Sequence, residues 1–506
     1  MHPPHQRGPD PVRAPSRAPM NLYRALFRGS LWTVSMRWGI RALGMVSVVV
    51  LARLLSPEDF AIVAMAMMLV AAMSIFTEVG VTAVLIRDAN ITREDMDTAW
   101  TIKVVQGVII AIGVVALAQP LADYFREPRV VEVVYVCAAA LVLSAFENVG
   151  VVLFRKELAF AKDFRYEVSC KLVSVIATIA LAFWLRSYWA LALGKIVNSL
   201  VEIVLSYALH PFRPRFSLAR YRRFLGFSVA TILTSAAKLI SGKVSSFMAG
   251  TVGGTAQMGA YTVAAEISAT GPNELTLSVS RAMFPTLARL RSERAELARM
   301  FLRVLAMIDA LSIPMGMGLW VVTDDLVPVL LGPKWETSRQ LMKYLAITGV
   351  LAGLNNLMLG SIMIITGHHH RLAAVQWVRC GIIAACALAG SRHGVEGIAL
   401  GTMVAGGTML VISMFVLRST LLVRARDFVA IFWRPLAASL AMAGVVWYLG
   451  RSLDVAQAAR LALCVATGAL IYPLFLAVLW YASGRPAGIE AMALDVVRKR
   501  LRKTAR

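Results

Sequence analysis

Carboxylates are scarce in this chain: 29 Asp and Glu stand against 52 Lys and Arg over 506 residues, a formal net charge of +23. Charged residues of both signs make up only 16% of the sequence, whereas soluble domains carry about 25%. Cysteine is rarer. The five, Cys137, Cys170, Cys380, Cys386 and Cys464, lie in apolar stretches with no C-x-x-C. They read as small hydrophobic residues, which excludes a disulfide framework. Nucleophile and zinc motifs of the G-x-S-x-G and H-E-x-x-H kind are missing, so the chain does not read as an enzyme. "GHHHR" at 367–371 is no metal site, because three consecutive histidines cannot share a helical face. No hydrophilic loop is long enough to fold alone, which confines function to the apolar body.

The N-terminus lacks the apolar core of a signal peptide. "MHPPHQRGPDPVRAPSRAP" is rich in Pro and Arg, so residues 1–29 are expected to form a disordered basic tail, with Met20 as an alternative start.

What is present is oil. The chain is 58% hydrophobic with a mean hydropathy of +0.69, and apolar runs of about 20 residues, enough to cross a ~30 Å hydrocarbon core, recur from end to end. These are helical spans; a barrel shows short alternating segments. An all-α polytopic membrane protein of about fourteen spans follows. Six lie at about 30–52, 60–86, 99–118, 130–153, 167–185 and 189–209, forming a unit over 30–210. A basic linker at 211–223, within "HPFRPRFSLARYRR", separates it from a second unit over 224–418. That unit holds spans near 224–250, 258–284, 300–322, 341–366, 372–390 and 396–417. A final pair, near 430–450 and 461–482, occupies 419–483 before a basic tail over 484–506. The Lys and Arg gather in loops on one side, which under the positive-inside rule puts both termini in the cytoplasm. That accounts for the net charge without nucleic acid.

A faint internal repeat joins residues 30–64 to 224–265: each half opens with a long helix carrying two basic residues, Arg37 and Arg41 or Lys238 and Lys243. Parallel repeats around a central cavity are a transporter design. An intramembrane cation costs at least about 2.5 kcal/mol on insertion scales and usually faces a cavity, a partner or a pathway. At spacing i, i+4, Arg37 and Arg41 share one face, and guanidinium matches phosphate oxygens. With Lys238, Lys243, Arg281 and Arg379 they suggest a cationic chamber for a phosphate-bearing substrate; the alternative is pairing with Glu78, Glu147, Glu202, Glu266 or Asp309. Glu266 and Asp309 are also candidates to carry a coupling proton or sodium ion. No other cofactor and no metal is expected. Pro272 and Pro314 are candidate hinges.

Several stretches resemble the polysaccharide flippases (Wzx-type, WzxC-like branch) of the MOP exporter superfamily, relatives of MATE antiporters and lipid II flippases. They are "LARLLSPEDFAIVAMA", "EVGVTAVLIRDANITREDMDTAW", "LFRKELAFAKDF", "MGAYTVA", "SRAMFPTLARL" and "LVPVLLGPKWETS", in that order between Leu31 and Tyr481. The usual Gly after "PEDF" is Ala61 here. The resemblance implies two six-helix lobes in a MATE-like V shape, an added helix pair and alternating access in the bacterial inner membrane. It also implies a polyprenyl-diphosphate-linked oligosaccharide as substrate, moved toward the periplasm for exopolysaccharide, capsule or O-antigen, with other polysaccharide assembly proteins as partners. The rivals are a MATE-like cation or drug antiporter, a membrane glycan polymerase and a non-transporting scaffold.

Overall fold

Helix follows helix through the computed structural model, in which the described residues are 19–75, 84–86, 88, 90–157, 159–224, 229–421 and 423–484. The first half comprises α1 (Pro19–Leu54), α2 (Pro57–Ser74), α3 (Arg93–Ala116), α4 (Arg129–Ala145), α5 (Phe160–Leu185) and α6 (Trp189–Leu209). The second comprises α7 (Val229–Arg289), α8 (Arg294–Leu326), α9 (Glu336–Asn356), α10 (His369–Ser391) and α11 (Gly394–Leu421). The pair α12 (Ala425–Ser452) and α13 (Gln457–Ala482) follows. α7 is two helices joined at Gly254, whose φ of 75° is a conformation that glycine adopts without a Cβ penalty; the spans expected at 224–250 and 258–284 are its two parts.

By length and composition ten described helices can cross a membrane, eleven if Arg129–Ala145 and Val149–Lys156, bent by 65°, make one span. This is fewer than the fourteen expected: α1 and α7 are not among them, and both carry charges in mid-helix, Arg37 and Arg41 in one and Lys238, Lys243, Glu266 and Glu274 in the other. The tail expected to be disordered over 1–29 is shorter than that, because α1 already begins at Pro19. Leu22 and Leu26, four apart in the sequence, keep helical spacing there; residues 1–18 lie outside the described residues.

Local sequence chemistry sets the turns. In "LLSPEDF" the Ser56 and Asp59 side chains cap each other's backbone N–H groups, at 3.3 and 2.9 Å, with Pro57 in the first turn of α2. Thr92 and Asp95 repeat the device at α3. The bend after α4 belongs to Asn148, fully buried. Its Oδ1 accepts from the Gly150 N–H at 2.9 Å and its Nδ2 donates to the Phe212 carbonyl at 2.7 Å.

The basic linker is a strap laid along the start of α3. The Arg215 N–H donates to Asp97 at 2.8 Å and the Ser217 N–H to Thr101 at 2.9 Å. Arg220 pairs with Glu94, and Arg223 with Asp88 and Asp95, at 2.8–3.0 Å. Burial holds the His210 imidazole below its ordinary pKa of 6.5, and its Nδ1 accepts from the Phe212 N–H at 3.1 Å.

At the opposite end the α1–α2 hairpin is docked on the second half. The Trp335 indole N–H donates to the Ala52 carbonyl at 2.8 Å, and the ring meets Phe60 edge-on. Arg53 donates to the carbonyls of Val329 and Leu330. Gly259 lies so close to Pro57 that a Cβ there would stand 1.8 Å from its carbonyl oxygen. Ala61 is fully buried in the hairpin's core, and the five cysteines are free thiols, four of them buried.

Candidate functional site

The seam between α1 and the second part of α7 brings opposite charges together in mid-bundle. Arg41 lies with its Nη1 3.4 Å from Glu266 Oε1 and its Nε 3.2 Å from Glu274 Oε1. Eight residues apart, the two glutamates share one face of α7. Glu274 is 13% exposed and Arg41 37%. Arg37, one turn earlier, has a buried Nε with no hydrogen-bond partner and interacts electrostatically with Glu167 of α5. Lys171 of α5 runs beside Gly44 of α1 and interacts with Arg41, Glu266 and Lys195 of α6.

On either side of this seam lie two chambers of different chemistry. One is an apolar groove of about 540 Å³ between α1, α7, α8, α12 and α13, lined by Trp38, Leu275, Pro314, Met442 and Tyr472 among others. The other, termed the polar cavity, has about 560 Å³ within the second half and sets Lys238, Arg379, Asn273, Gln376, Asn355 and hydroxyl groups of α7, α9 and α11 among apolar side chains such as Leu277, Leu345, Ile383 and Met409. Three consecutive residues of α7 divide these spaces: Asn273 lines the polar cavity, Glu274 meets Arg41, and Leu275 lines the apolar groove. A helix turns about 100° per residue, so one helix serves as the partition for all three.

A third cavity, about 500 Å³, lies in the first half among Lys103, Glu147, Arg155, Asp163, Tyr166, Glu167 and Glu202. Four carboxylates face two cations there. Lys103 pairs with Glu147 at 2.6 Å, Arg155 with Asp163 at 3.2 Å and with Glu167, and the Asn198 amide donates to Glu202 at 2.7 Å.

Of the residues singled out from sequence, Arg41 and Glu266 meet at the seam, Arg37 interacts with Glu167 of α5 instead, and Lys238 and Arg379 both line the polar cavity. Lys243 and Arg281 are exposed and line neither chamber. Asp309 is fully buried in α8 with neither carboxylate oxygen hydrogen-bonded. Glu78 lies outside the described residues. Pairing with buried acids and a cationic chamber were alternatives from sequence; Arg41 takes the first form here, Lys238 and Arg379 the second. Sequence reasoning missed Lys171, Lys195 and Glu274, although an ionisable residue inside an apolar span was the available signal. Among the described residues no group of three or more His, Cys, Asp or Glu is placed to hold a metal.

Comparison with known proteins follows the same lines. A family model for polysaccharide biosynthesis proteins matches residues 50–340. The lipopolysaccharide biosynthesis protein WzxC of Escherichia coli is 24% identical over 85% of this chain and 89% of its own. The succinoglycan biosynthesis transport protein ExoT of Rhizobium meliloti is 26% identical over 63% of this chain and 65% of its own. Among solved structures, the lipid II flippase MurJ in an inward closed conformation superposes with a TM-score of 0.72 at 12% identity, covering 90% of this chain and all of that one. An inward-facing multidrug MATE transporter of the MOP superfamily gives 0.54 at 17% identity, over 76% of this chain and 98% of its own. These likenesses establish the fold.

Proposed function

This chain belongs to the polysaccharide biosynthesis protein family, and we propose that, as a Wzx-like member of the MOP superfamily, it flips a polyprenyl-diphosphate-linked oligosaccharide across the bacterial inner membrane. The observation that carries the reading is the three-way partition at Asn273, Glu274 and Leu275. A lipid-linked sugar has three parts with three solvation needs. The prenyl tail matches the apolar groove, which offers surroundings as apolar as the lipid it leaves. The diphosphate matches Arg37 and Arg41, whose guanidinium donors suit phosphate oxygens. The first sugars match the polar cavity.

In this arrangement Arg41 is held by Glu266 and Glu274, and the far end, on our orientation the periplasmic one, is closed by the α1–α2 hairpin. A diphosphate arriving from the cytoplasmic side competes with the two glutamates for Arg41. It thereby loosens α1 from α7, the contact that must change if the halves rock. The substrate then supplies the differential affinity that any ligand-driven shift requires. Reaction chemistry has no part in this cycle; the chain acts as a transporter. Glu266 and Asp309 are the proposed carriers of a coupling proton or cation.

A cation antiporter is the second reading, and the carboxylates of the first-half cavity favour it. Depleting the protein in its host and measuring polyprenyl-linked intermediates by mass spectrometry separates the two. Accumulation of a complete diphosphate-linked oligosaccharide with loss of surface polysaccharide supports the flippase. Unchanged intermediates with lost resistance to cationic dyes support the antiporter.

A further inference from the structure

We infer that the bundle carries a site for an anionic phospholipid, apart from any transported substrate, in a groove between α11 and α12 that holds an acyl chain with its phosphate against Arg418. The site lies where the second half meets the added helix pair and does not depend on the transport reading.

The groove has a volume of about 340 Å³, and every described residue lining it except Arg418 is apolar. Val411, Met414, Phe415 and Arg418 form one wall from α11, and their spacing of i, i+3, i+4 and i+7 sets them on one helix face. Ala425, Phe428, Val429 and Phe432 form the other from α12 at the same spacing. α11 ends at Leu421 and α12 begins at Ala425, so the chain turns back on itself. Arg418 and Ala425 therefore stand at one end of the groove, Val411 and Phe432 at the other. Seven residues at about 1.5 Å each make it about 10 Å deep, less than one leaflet of a ~30 Å hydrocarbon core. Phe428 belongs to the core of the second half, and Met414 and Phe432 pack on that core, which makes the floor. Val411, Phe415 and Val429 are each more than half exposed and make the rims.

Charge marks one end only. The positive-inside rule turns the α11–α12 connection to the cytoplasm, where "RSTLLVRARDF" sets Arg418, Arg424 and Arg426 within nine residues and carries a single acid, Asp427. That acid is engaged: it faces Arg426 at 3.9 Å and accepts from the Arg424 N–H at 3.0 Å. Arg418 is exposed in the last turn of α11 and pairs with no described carboxylate. Apolar walls in a bilayer do not choose between lipids, since every lipid tail is as apolar as they are. The choice falls to the guanidinium, whose planar donors fit a phosphodiester. An anionic headgroup presents that phosphate without a cation of its own, and basic residues at the cytoplasmic surface attract such lipids.

Two other occupants fit less well. The basic tail at 485–506 is repelled by three arginines. A polyprenyl chain outruns a groove that stops after about 10 Å, and the larger apolar groove opens further along α12, at Met442 and Val446.

The test uses the full chain in nanodiscs of equal parts phosphatidylglycerol and phosphatidylcholine. Either lipid is added as a probe with a diazirine on its acyl chain, and cross-linked peptides are read by mass spectrometry. Labelling of residues 411–432 by the phosphatidylglycerol probe is expected to exceed that by the phosphatidylcholine probe about fivefold, the worth of one basic residue near the surface. The ratio is expected to fall toward one in R418Q and to survive in R418K, with labelling of other peptides unchanged as the sign of an intact fold. Equal labelling by the two probes in the wild type makes the groove ordinary lipid contact and overturns the assignment. A ratio unchanged in R418Q takes the headgroup away from Arg418 and overturns it too. Displacement of the phosphatidylglycerol probe by a trace of undecaprenyl phosphate makes the occupant a polyprenyl phosphate, and a rise of both labels alike on removing residues 485–506 makes it the tail; either result overturns the assignment. The flippase reading stands or falls separately, on the polyprenyl-linked intermediates.

Discussion

If Arg41 is shared between Glu274 and an incoming diphosphate, removing the glutamate's charge must tighten substrate binding. At the observed 3.2 Å and an effective dielectric of about 20, the gross attraction is about 5 kcal/mol. Most of that is offset by desolvation and by solvent screening at Arg41, which is 37% exposed, leaving a net of about 1 kcal/mol. Glu274→Gln keeps size and shape, so it is expected to raise the affinity for undecaprenyl diphosphate about fivefold. Glu266→Gln, the 53% exposed partner at 3.4 Å, is expected to do less. Arg41→Ala lowers affinity in both backgrounds. The assay is titration of undecaprenyl diphosphate and undecaprenyl monophosphate into nanodisc-held protein, at two salt concentrations. The monophosphate has fewer oxygens for the guanidinium and gains less from Glu274→Gln. Affinity that stays flat or falls in Glu274→Gln would refute the competition, and with it the idea that substrate loosens α1 from α7.

Other expectations test other links. Gly259→Ala places a methyl 1.8 Å from the Pro57 carbonyl oxygen, so it is expected to cost about 1–3 kcal/mol or more of stability; thermal unfolding at wild-type temperature shows the hairpin docking to be misplaced. Asp309→Asn replaces a fully buried carboxyl that has no hydrogen-bond partner, where an ionised group would cost several kcal/mol. The fold should therefore tolerate the change within about 1 kcal/mol, while transport loses its pH dependence; an unaltered pH profile removes Asp309 from coupling. For the strap, the sign follows from His210, whose native pKa lies below the ordinary 6.5. The released ring takes up its proton first, so the hold on residues 212–218 is full above about pH 6.5 and weakens as pH falls below it. Protection of these amides, taken against intrinsic exchange at each pH, should fall in acid for the wild type and lose that dependence in His210→Gln.

Helix placement was legible wherever apolar length and turn chemistry agreed. α6 occupies the residues expected, 189–209, and the "SPEDF" turn caps α2 as its Ser and Asp imply. The bend after α4 was not legible, because Asn148 needs Phe212 and Ser206, about 60 residues away in sequence, to make a buried polar residue tolerable. The site was half legible. Arg37 and Arg41, four residues apart, lie within about 40° of each other around the helix, yet Arg41 meets Glu274 of α7 and Arg37 interacts with Glu167 of α5. The matching pair of the second half, Lys238 and Lys243, is five apart and splayed by about 140°; the structure accordingly puts Lys238 in the cavity and leaves Lys243 exposed outside it. Glu274 could not be assigned to Arg41 from one chain, since their meeting depends on how α1 rotates against α7.

The two prolines read from sequence as hinges lie in the helices that carry the lining of both chambers. A proline lacks the N–H that bonds to the carbonyl four residues earlier, so Pro272 frees the Ser268 oxygen and Pro314 the Ala310 oxygen. Neither is left idle. The Ser268 oxygen is pressed against Gly349 of α9, where a Cβ would stand 2.6 Å from it. The Ala310 oxygen accepts from the Tyr472 hydroxyl of α13 at 2.6 Å. Gly271, beside Pro272, is packed as closely on Met315, whose Cε would lie 2.5 Å from an added Cβ. The prolines therefore act here as docking points that fix α7 on α9 and α8 on α13, and so aim Asn273, Glu274 and Leu275 into their three surroundings. Motion at either proline has to break a specific contact, and both contacts border the proposed path: Tyr472 and Pro314 line the apolar groove, and Gly349 lines the polar cavity. A tail entering the groove crowds Tyr472, and a sugar entering the cavity touches Gly349. Occupancy of the two chambers is thereby tied to two backbone carbonyls, Ser268 on α7 and Ala310 on α8, that proline has made available to move.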